Sequence, residues 1–308
     1  MPPPPNVASL LARPRPLLLD GAIGTELARR GVPTTLPLWS AHALINDAGI
    51  AVLRAIHADY AGAGAEILVT DTFRTTLRAL ERAGRASEWQ AINRRAVEAA
   101  RAGARASSGP CLVAGGLAPL EDCYSPHLVP DEAVCLAEHR RQAALLLELG
   151  VDLLFVETMN RGREALAAVR AAREGGAEFL LSLCPAPPDL LMSGEPLFEV
   201  VPELVDSGGE RLRAVLLNCA PPEQLETIYP RFARIAAGVP HGLYAHLGEP
   251  DEVVGWRLPE RHDPERYAVW MTARMREGAR LVGGCCGTTP DHIAALARAI
   301  DATGAASA

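Results

Sequence analysis

Leu281-Val282-Gly283-Gly284-Cys285-Cys286-Gly287-Thr288-Thr289-Pro290 joins an apolar run to a helix start through a glycine-flanked turn. Thr289 ahead of Pro290, with Asp291 in the first turn, is the N-terminal signature of a helix. The unit is strand, polar turn, helix. It is the last of eight: apolar runs at 17–20, 66–72, 111–116, 152–157, 178–184, 213–219, 242–247 and 280–284 alternate with amphipathic stretches, among them 88–106, 130–149, 162–174, 222–237, 264–277 and 290–302. The runs are continuous rather than alternating, which fits strands buried on both faces of a parallel sheet. Eight consecutive βα units predict an α/β fold closed into a single-domain (β/α)8 TIM barrel. The competing open, doubly wound sheet lacks its fingerprint, because the first strand is followed by Asp20-Gly21-Ala22-Ile23-Gly24-Thr25 and not by Gly-x-Gly-x-x-Gly. The barrel is expected over residues 17–308, behind an N-terminal tail at 1–16 of which 1–5 reads as loose.

Composition removes several classes of function. Hydrophobic residues make up 49% of the 308, enough for a large core, and the formal net charge of −7 disfavours nucleic acid or an anionic membrane as partner. Every basic residue among the thirty is arginine. Without lysine there is no Schiff-base aldolase, no pyridoxal-phosphate anchor and no Walker-type phosphate loop. Seven scattered cysteines do not make a disulfide framework, and no apolar stretch reaches membrane-spanning length or forms a cleavable leader. The expectation is a cytoplasmic protein with reduced thiols.

Barrel active sites lie at the C-terminal ends of the strands. The unusual polar residues fall there: Asp20 after the first run, Asp71 and Thr72 after the second, Glu157 after the fourth, Cys219 after the sixth, and Cys285 and Cys286 after the eighth. Adjacent cysteines make a strained disulfide but natural co-ligands of one metal. With Cys219 they supply three thiolates to Zn2+ and leave one position for chemistry. The alternative is a buried core cysteine and an incidental pair. Cys111, Cys123, Cys135 and Cys184 have no such context and read as core or surface thiols, Cys184 being the nearest to the site as the end of the fifth run.

These residues carry a resemblance. Asp20-Gly21-Ala22-Ile23-Gly24-Thr25-Glu26-Leu27, Thr70-Asp71-Thr72-Phe73, Phe155-Val156-Glu157-Thr158, Asn218-Cys219 and 283–290 occur in an order that resembles the homocysteine S-methyltransferase family over nearly the whole chain. The resemblance implies a zinc-bearing barrel that methylates the sulfur of homocysteine to give methionine. Cys219, Cys285 and Cys286 would hold the metal, and the substrate thiol would take the remaining position. Glu157 is similar to the family glutamate that holds the substrate amino group; otherwise it is a strand-end carboxylate paired with a structural arginine. The loop from Asp20 to Thr25, with Asp20, Gly21 and Ala22 as its substrate-binding residues, would offer backbone N–H groups to the substrate carboxylate, and Asp20 would orient it. Asp71 and Thr72 would line the mouth; where many relatives carry asparagine, Asp71 adds a charge. Trp39 sits in a family-like stretch.

The large folate- and cobalamin-dependent members carry further domains beyond a barrel of this length. A detached subunit of such an enzyme stays open, but a free-standing enzyme is the simpler expectation, with a sulfonium donor (S-methylmethionine, the preferred reading, or S-adenosylmethionine) or a betaine. Such cations suit aromatic walls, for which Trp39, Phe73, Tyr124, Tyr244 and Trp256 are candidates. His246 stands where relatives often have asparagine. The rival readings are a methyltransferase for another small thiol and a non-catalytic zinc or redox-sensing barrel.

Overall fold

The computed structural model describes residues 5–236, 238–251, 255–257 and 263–305. Apart from Pro5, the loose segment expected at 1–5 lies outside these residues. Eight parallel strands follow the eight apolar runs: β1 (Leu17–Leu18), β2 (Ile67–Val69), β3 (Leu112–Leu117), β4 (Leu153–Met159), β5 (Phe179–Leu183), β6 (Leu212–Asn218), β7 (His241–Ala245) and β8 (Leu281–Gly284). They hydrogen-bond in the order β1-β8-β7-β6-β5-β4-β3-β2. The ring closes between β1 and β2 through a parallel bridge, Leu19 to Ile67. The Asp20 amide donates to the Ile67 carbonyl at 3.0 Å, and the Glu66 amide to that of Leu18 at 2.8 Å.

Both faces of these strands are buried, as the unbroken apolar runs require. Leu17 and Leu19 point inward with Ile67, Leu112, Leu153, Phe155, Leu180, Leu216 and Leu281 to fill the barrel. Leu18, Leu68, Val113, Leu154, Leu181, Val215 and Val282 point outward against the helices. This is the period-two alternation of a strand with apolar partners on each side. The helix Gly162–Glu174 has the limits its sequence pattern predicts, and Pro290–Ala305 begins at the Thr289-Pro290 signal. Among the described residues no helix is long and apolar enough to cross a membrane.

The described part of the expected tail, from Asn6 onward, is packed against the barrel. Val7–Leu11 forms a short helix, capped by Asn6, whose side chain accepts from the Ser9 amide at 2.9 Å. Val7 and Leu10 pack into the inner barrel cluster with Leu17, Ile67 and Leu281, at the end where the strands begin. Arg15 pairs with Glu66 at 2.7 Å, and Arg280 donates to the Leu11 carbonyl at 2.8 Å. The N-terminal helix is therefore the plug of the barrel floor. Two short antiparallel hairpins, Pro185–Ala186 with Leu190–Leu191 and Glu249–Asp251 with Gly255–Arg257, grow from the loops after β5 and β7.

Candidate active site

A cavity of about 800 Å³ opens over the C-terminal ends of the strands. Its wall includes Asp20, Gly21, Ala22, Trp39, Asp71, Glu157, Cys219, Cys285 and Cys286, so nearly all the site residues expected from sequence meet in one place. The aromatic candidates Phe73, Tyr124, Tyr244 and Trp256 line it too. Trp39 meets Phe73 edge-to-face, 5.8 Å between ring centroids. Thr72 is the exception. Its hydroxyl donates to the Gly116 carbonyl at 2.9 Å and lies 2.9 Å from that of Thr70, beneath the cavity wall. The chain bends at Asp71, where the Thr72 amide donates back to the Thr70 carbonyl at 2.7 Å, so Asp71 reaches the cavity while the Thr72 hydroxyl is turned to β3. His246 is also set back: it is buried, stacks edge-on to Trp256 at 5.0 Å, and its Nδ1 has no partner.

The backbone is bent to aim these groups. The β4–β5 pairing shifts register between Val156 and Met159, a bulge that brackets Glu157 and Thr158. Thr158 has φ +60° and Cys219 φ +55°, a left-handed conformation costly for a side chain with a Cβ and concentrated at functional sites. The two residues are tied together through Asn218, whose amide donates to the Thr158 hydroxyl at 2.8 Å. Below them Ser182 accepts the Thr158 amide at 3.0 Å and meets the Tyr244 hydroxyl at 2.6 Å. The Cys285-Cys286 turn is held from both sides. The Cys285 amide donates to Ala245 at 2.9 Å, and the Cys286 carbonyl accepts from Leu247 at 2.7 Å. Gly287 has φ +81° with the Leu247 carbonyl where a Cβ would stand, so this turn needs glycine.

Three thiols from two strand ends thus share the cavity floor. Hydrogen bonds from Cys219 and Cys286 hold the Cys285 thiol well below its ordinary pKa. The Cys219 thiol is pushed the other way, first by Cys123 and then by Cys184, Cys285 and Cys286, all crowded around it. The Tyr124 hydroxyl lies 3.0 Å from Cys219 Sγ. Three soft sulfur donors, one already favouring thiolate, fit a zinc ion in chemistry. Among the described residues no three His, Cys, Asp or Glu side chains are already drawn in around a common centre; the thiols meet one another instead. Cys123 corrects the sequence reading, which gave it no place beside Cys219, whereas Cys184 borders Cys219 as its position at the end of the fifth run allowed. The loop after β3 brings Cys123 there, and no spacing in the sequence announces it.

The acidic groups are unusual in the same direction. The Glu157 carboxyl is enclosed by the wall but faces the cavity, and no arginine or other donor among the described residues pairs with it. Burial, then the negative charge of Cys285, Asp20 and Asp71, pushes its pKa well above the carboxylate range. Burial raises Asp20 to about 8 against the Val69 amide, which donates to its Oδ2 at 2.9 Å. Burial raises Asp71 to about 6; Ser40 lies near enough to oppose this but not in hydrogen-bonding geometry, so Asp71 Oδ2 stays unpartnered. Arg74 is the one basic side chain among the described cavity-lining residues, and it is shared with Asp122 at 3.6 Å. The amides of the Asp20 loop are not equally available. The Ala22 amide already donates to the Thr288 hydroxyl at 3.2 Å, leaving those of Gly21 and Ile23 without a protein acceptor among the described residues.

Comparison with known proteins agrees with this architecture. The family model of homocysteine S-methyltransferase matches residues 17–300. The chain is 32% identical to the homocysteine S-methyltransferase of Escherichia coli, over 94% of this chain and 96% of that one. It is 30% identical to homocysteine S-methyltransferase 1 of Arabidopsis thaliana, over 91% and 92%. The crystal structure of the E. coli homocysteine methyltransferase MmuM in its metallated form superimposes with a TM-score of 0.79 at 29% identity, covering 94% of this chain and 98% of that one. The chain belongs to the homocysteine S-methyltransferase family.

Proposed function

We propose that this protein transfers a methyl group from a sulfonium donor, S-methylmethionine first among them, to the sulfur of L-homocysteine, giving methionine at a zinc site held by Cys219, Cys285 and Cys286. The observation that carries the reading is the meeting of three thiols and the unpaired Glu157 carboxyl on one cavity wall. Zinc, when bound, lowers the pKa of a coordinated thiol, so the substrate sulfur is a thiolate at neutral pH.

The remaining work falls to the chain itself. Glu157, whose carboxyl has no protein partner among the described residues, receives the substrate ammonium as its ion-pair partner on the cavity wall. The free amides of Gly21 and Ile23 face the substrate carboxylate, on a loop that Asp20 ties to β2. The wall of Trp39, Phe73, Tyr124 and Trp256 receives the donor cation, and the unpartnered Asp71 oxygen stands nearby as its counter-charge. The substrate sulfur attacks the methyl carbon, the bond from that carbon to the donor sulfur breaks, and its electron pair leaves with a neutral thioether. No general acid is required. The seven cysteines are all free thiols, which supports a reducing compartment such as the cytoplasm.

A donor panel with homocysteine tests the proposal. Zinc-loaded protein is expected to form methionine from S-methylmethionine, with S-adenosylmethionine and glycine betaine as competing donors. Zinc-replete protein that makes no methionine from any of them would sink the reading.

A further inference from the structure

We infer that Cys123 is a fourth sulfur ligand of the resting metal site, displaced when the substrate thiol arrives. The inference rests on the zinc reading above. Among the four cysteines outside the expected trio, Cys123 alone lines the cavity with Cys219, Cys285 and Cys286. Its position is built: the Asn160 side chain donates to the Cys123 carbonyl at 2.8 Å, and Arg74 donates to the Glu121 carbonyl at 3.3 Å. The next residue, Tyr124, sets its hydroxyl 3.0 Å from Cys219 Sγ, so this loop lies over the cysteine trio. Cys184 also borders Cys219 but on the closed side. It is fully buried, turns its Sγ to the Cys219 carbonyl at 3.7 Å, and is absent from the cavity wall.

A metal held by three protein thiolates keeps one position for substrate, and zinc prefers four ligands in a tetrahedral set. A thiolate in that position makes substrate entry a like-for-like exchange. The bond from the metal to Cys123 sulfur breaks and one to homocysteine sulfur forms. The proton of the incoming thiol passes to Cys123, leaving the number of thiolates and the net charge unchanged. The device would close the site to water and small anions until a competing thiol arrives.

X-ray absorption on the zinc-loaded wild-type protein tests this without a variant. Four sulfur neighbours are expected in the resting state; three sulfurs with one oxygen or nitrogen overturn the inference. In Cys123→Ala and Cys123→Ser the count is expected to fall to three and return to four with homocysteine. Homocysteine binding should tighten roughly tenfold in these variants, since it no longer competes with an internal ligand. It should also release one more proton than in the wild type. A wild-type proton count equal to the variants', or unchanged affinity, tells against the exchange. Protein that takes up no zinc at all overturns the zinc reading itself, an outcome separate from zinc bound by three sulfurs.

Discussion

The Glu157 carboxylate occupies the space that a side chain on Gly116 would need: a Cβ built on Gly116 runs into Glu157 Oε1. The two residues lie on adjacent strands, β3 and β4, at the level of the cavity. Because the obstacle is the far end of a flexible side chain, Gly116→Ala should fold and bind zinc while displacing the carboxylate. We expect the homocysteine KM to rise roughly tenfold or more with kcat for saturating substrate much less changed, the pattern of lost ground-state binding. Steady-state kinetics beside metal analysis checks this. An unchanged KM would return Glu157 to a structural role.

Cys219→Ser keeps a similar shape at the left-handed position but replaces a soft donor with a hard one. Zinc affinity in a chelator competition is expected to fall by more than about 100-fold, beyond what loss of an outer partner produces, and methyl transfer should fall with it. Full zinc retention after dialysis would remove Cys219 from the site.

His57 provides a pH prediction far from the chemistry. On the helix Asp47–Gly62 it is fully buried, both ring nitrogens lack a partner, and burial lowers its pKa from 6.5 to about 4. The folded state excludes a proton that the unfolded chain takes up between these values. The stability His57 permits is therefore complete above pH 6.5 and is lost as pH falls toward 4, by at most about 3 kcal/mol. Denaturant midpoints at pH 7 and pH 4.5 should lie closer together in His57→Leu than in the wild type. Equal pH slopes for the two proteins would contradict the assignment.

Leu10 is 4% exposed in the floor plug. Leu10→Ala should cost about 2–5 kcal/mol of stability, read by denaturation. The kcat/KM of the remaining folded protein should be unaltered, since the plug lies at the opposite end of the barrel from the cavity. A loss below 0.5 kcal/mol, roughly the range of surface substitutions, would mean the helix is only loosely seated.

The eight strands were legible because a parallel barrel buries both strand faces, and runs such as 213–219 stay apolar residue after residue. The ends of those runs marked Asp20, Asp71, Glu157 and the cysteine trio, since strand ends and the active face coincide in this architecture. What sequence hid was contact made by loops. Cys123 reaches Cys219 only because the β3 loop folds back over the barrel mouth, and the floor helix has partners such as Leu281, remote along the chain. Which amides of the Asp20 loop stay free was hidden for a similar reason: the acceptor of the Ala22 amide, Thr288, comes from the opposite end of the sequence. Thr72 was different. The strand ends at Val69 and the chain bends at Asp71, so strand alternation no longer says which way Thr72 faces.

The single chamber of about 800 Å³ joins the cysteine trio to the Trp39 rim without a partition. It has room for both reactants together, so the methyl group is expected to pass directly between them with no methylated enzyme formed on the way. The expected kinetics are sequential: double-reciprocal plots against either substrate should intersect, and a chiral methyl group should emerge inverted. Parallel lines would mean that the methyl group rests on the protein between two half-reactions.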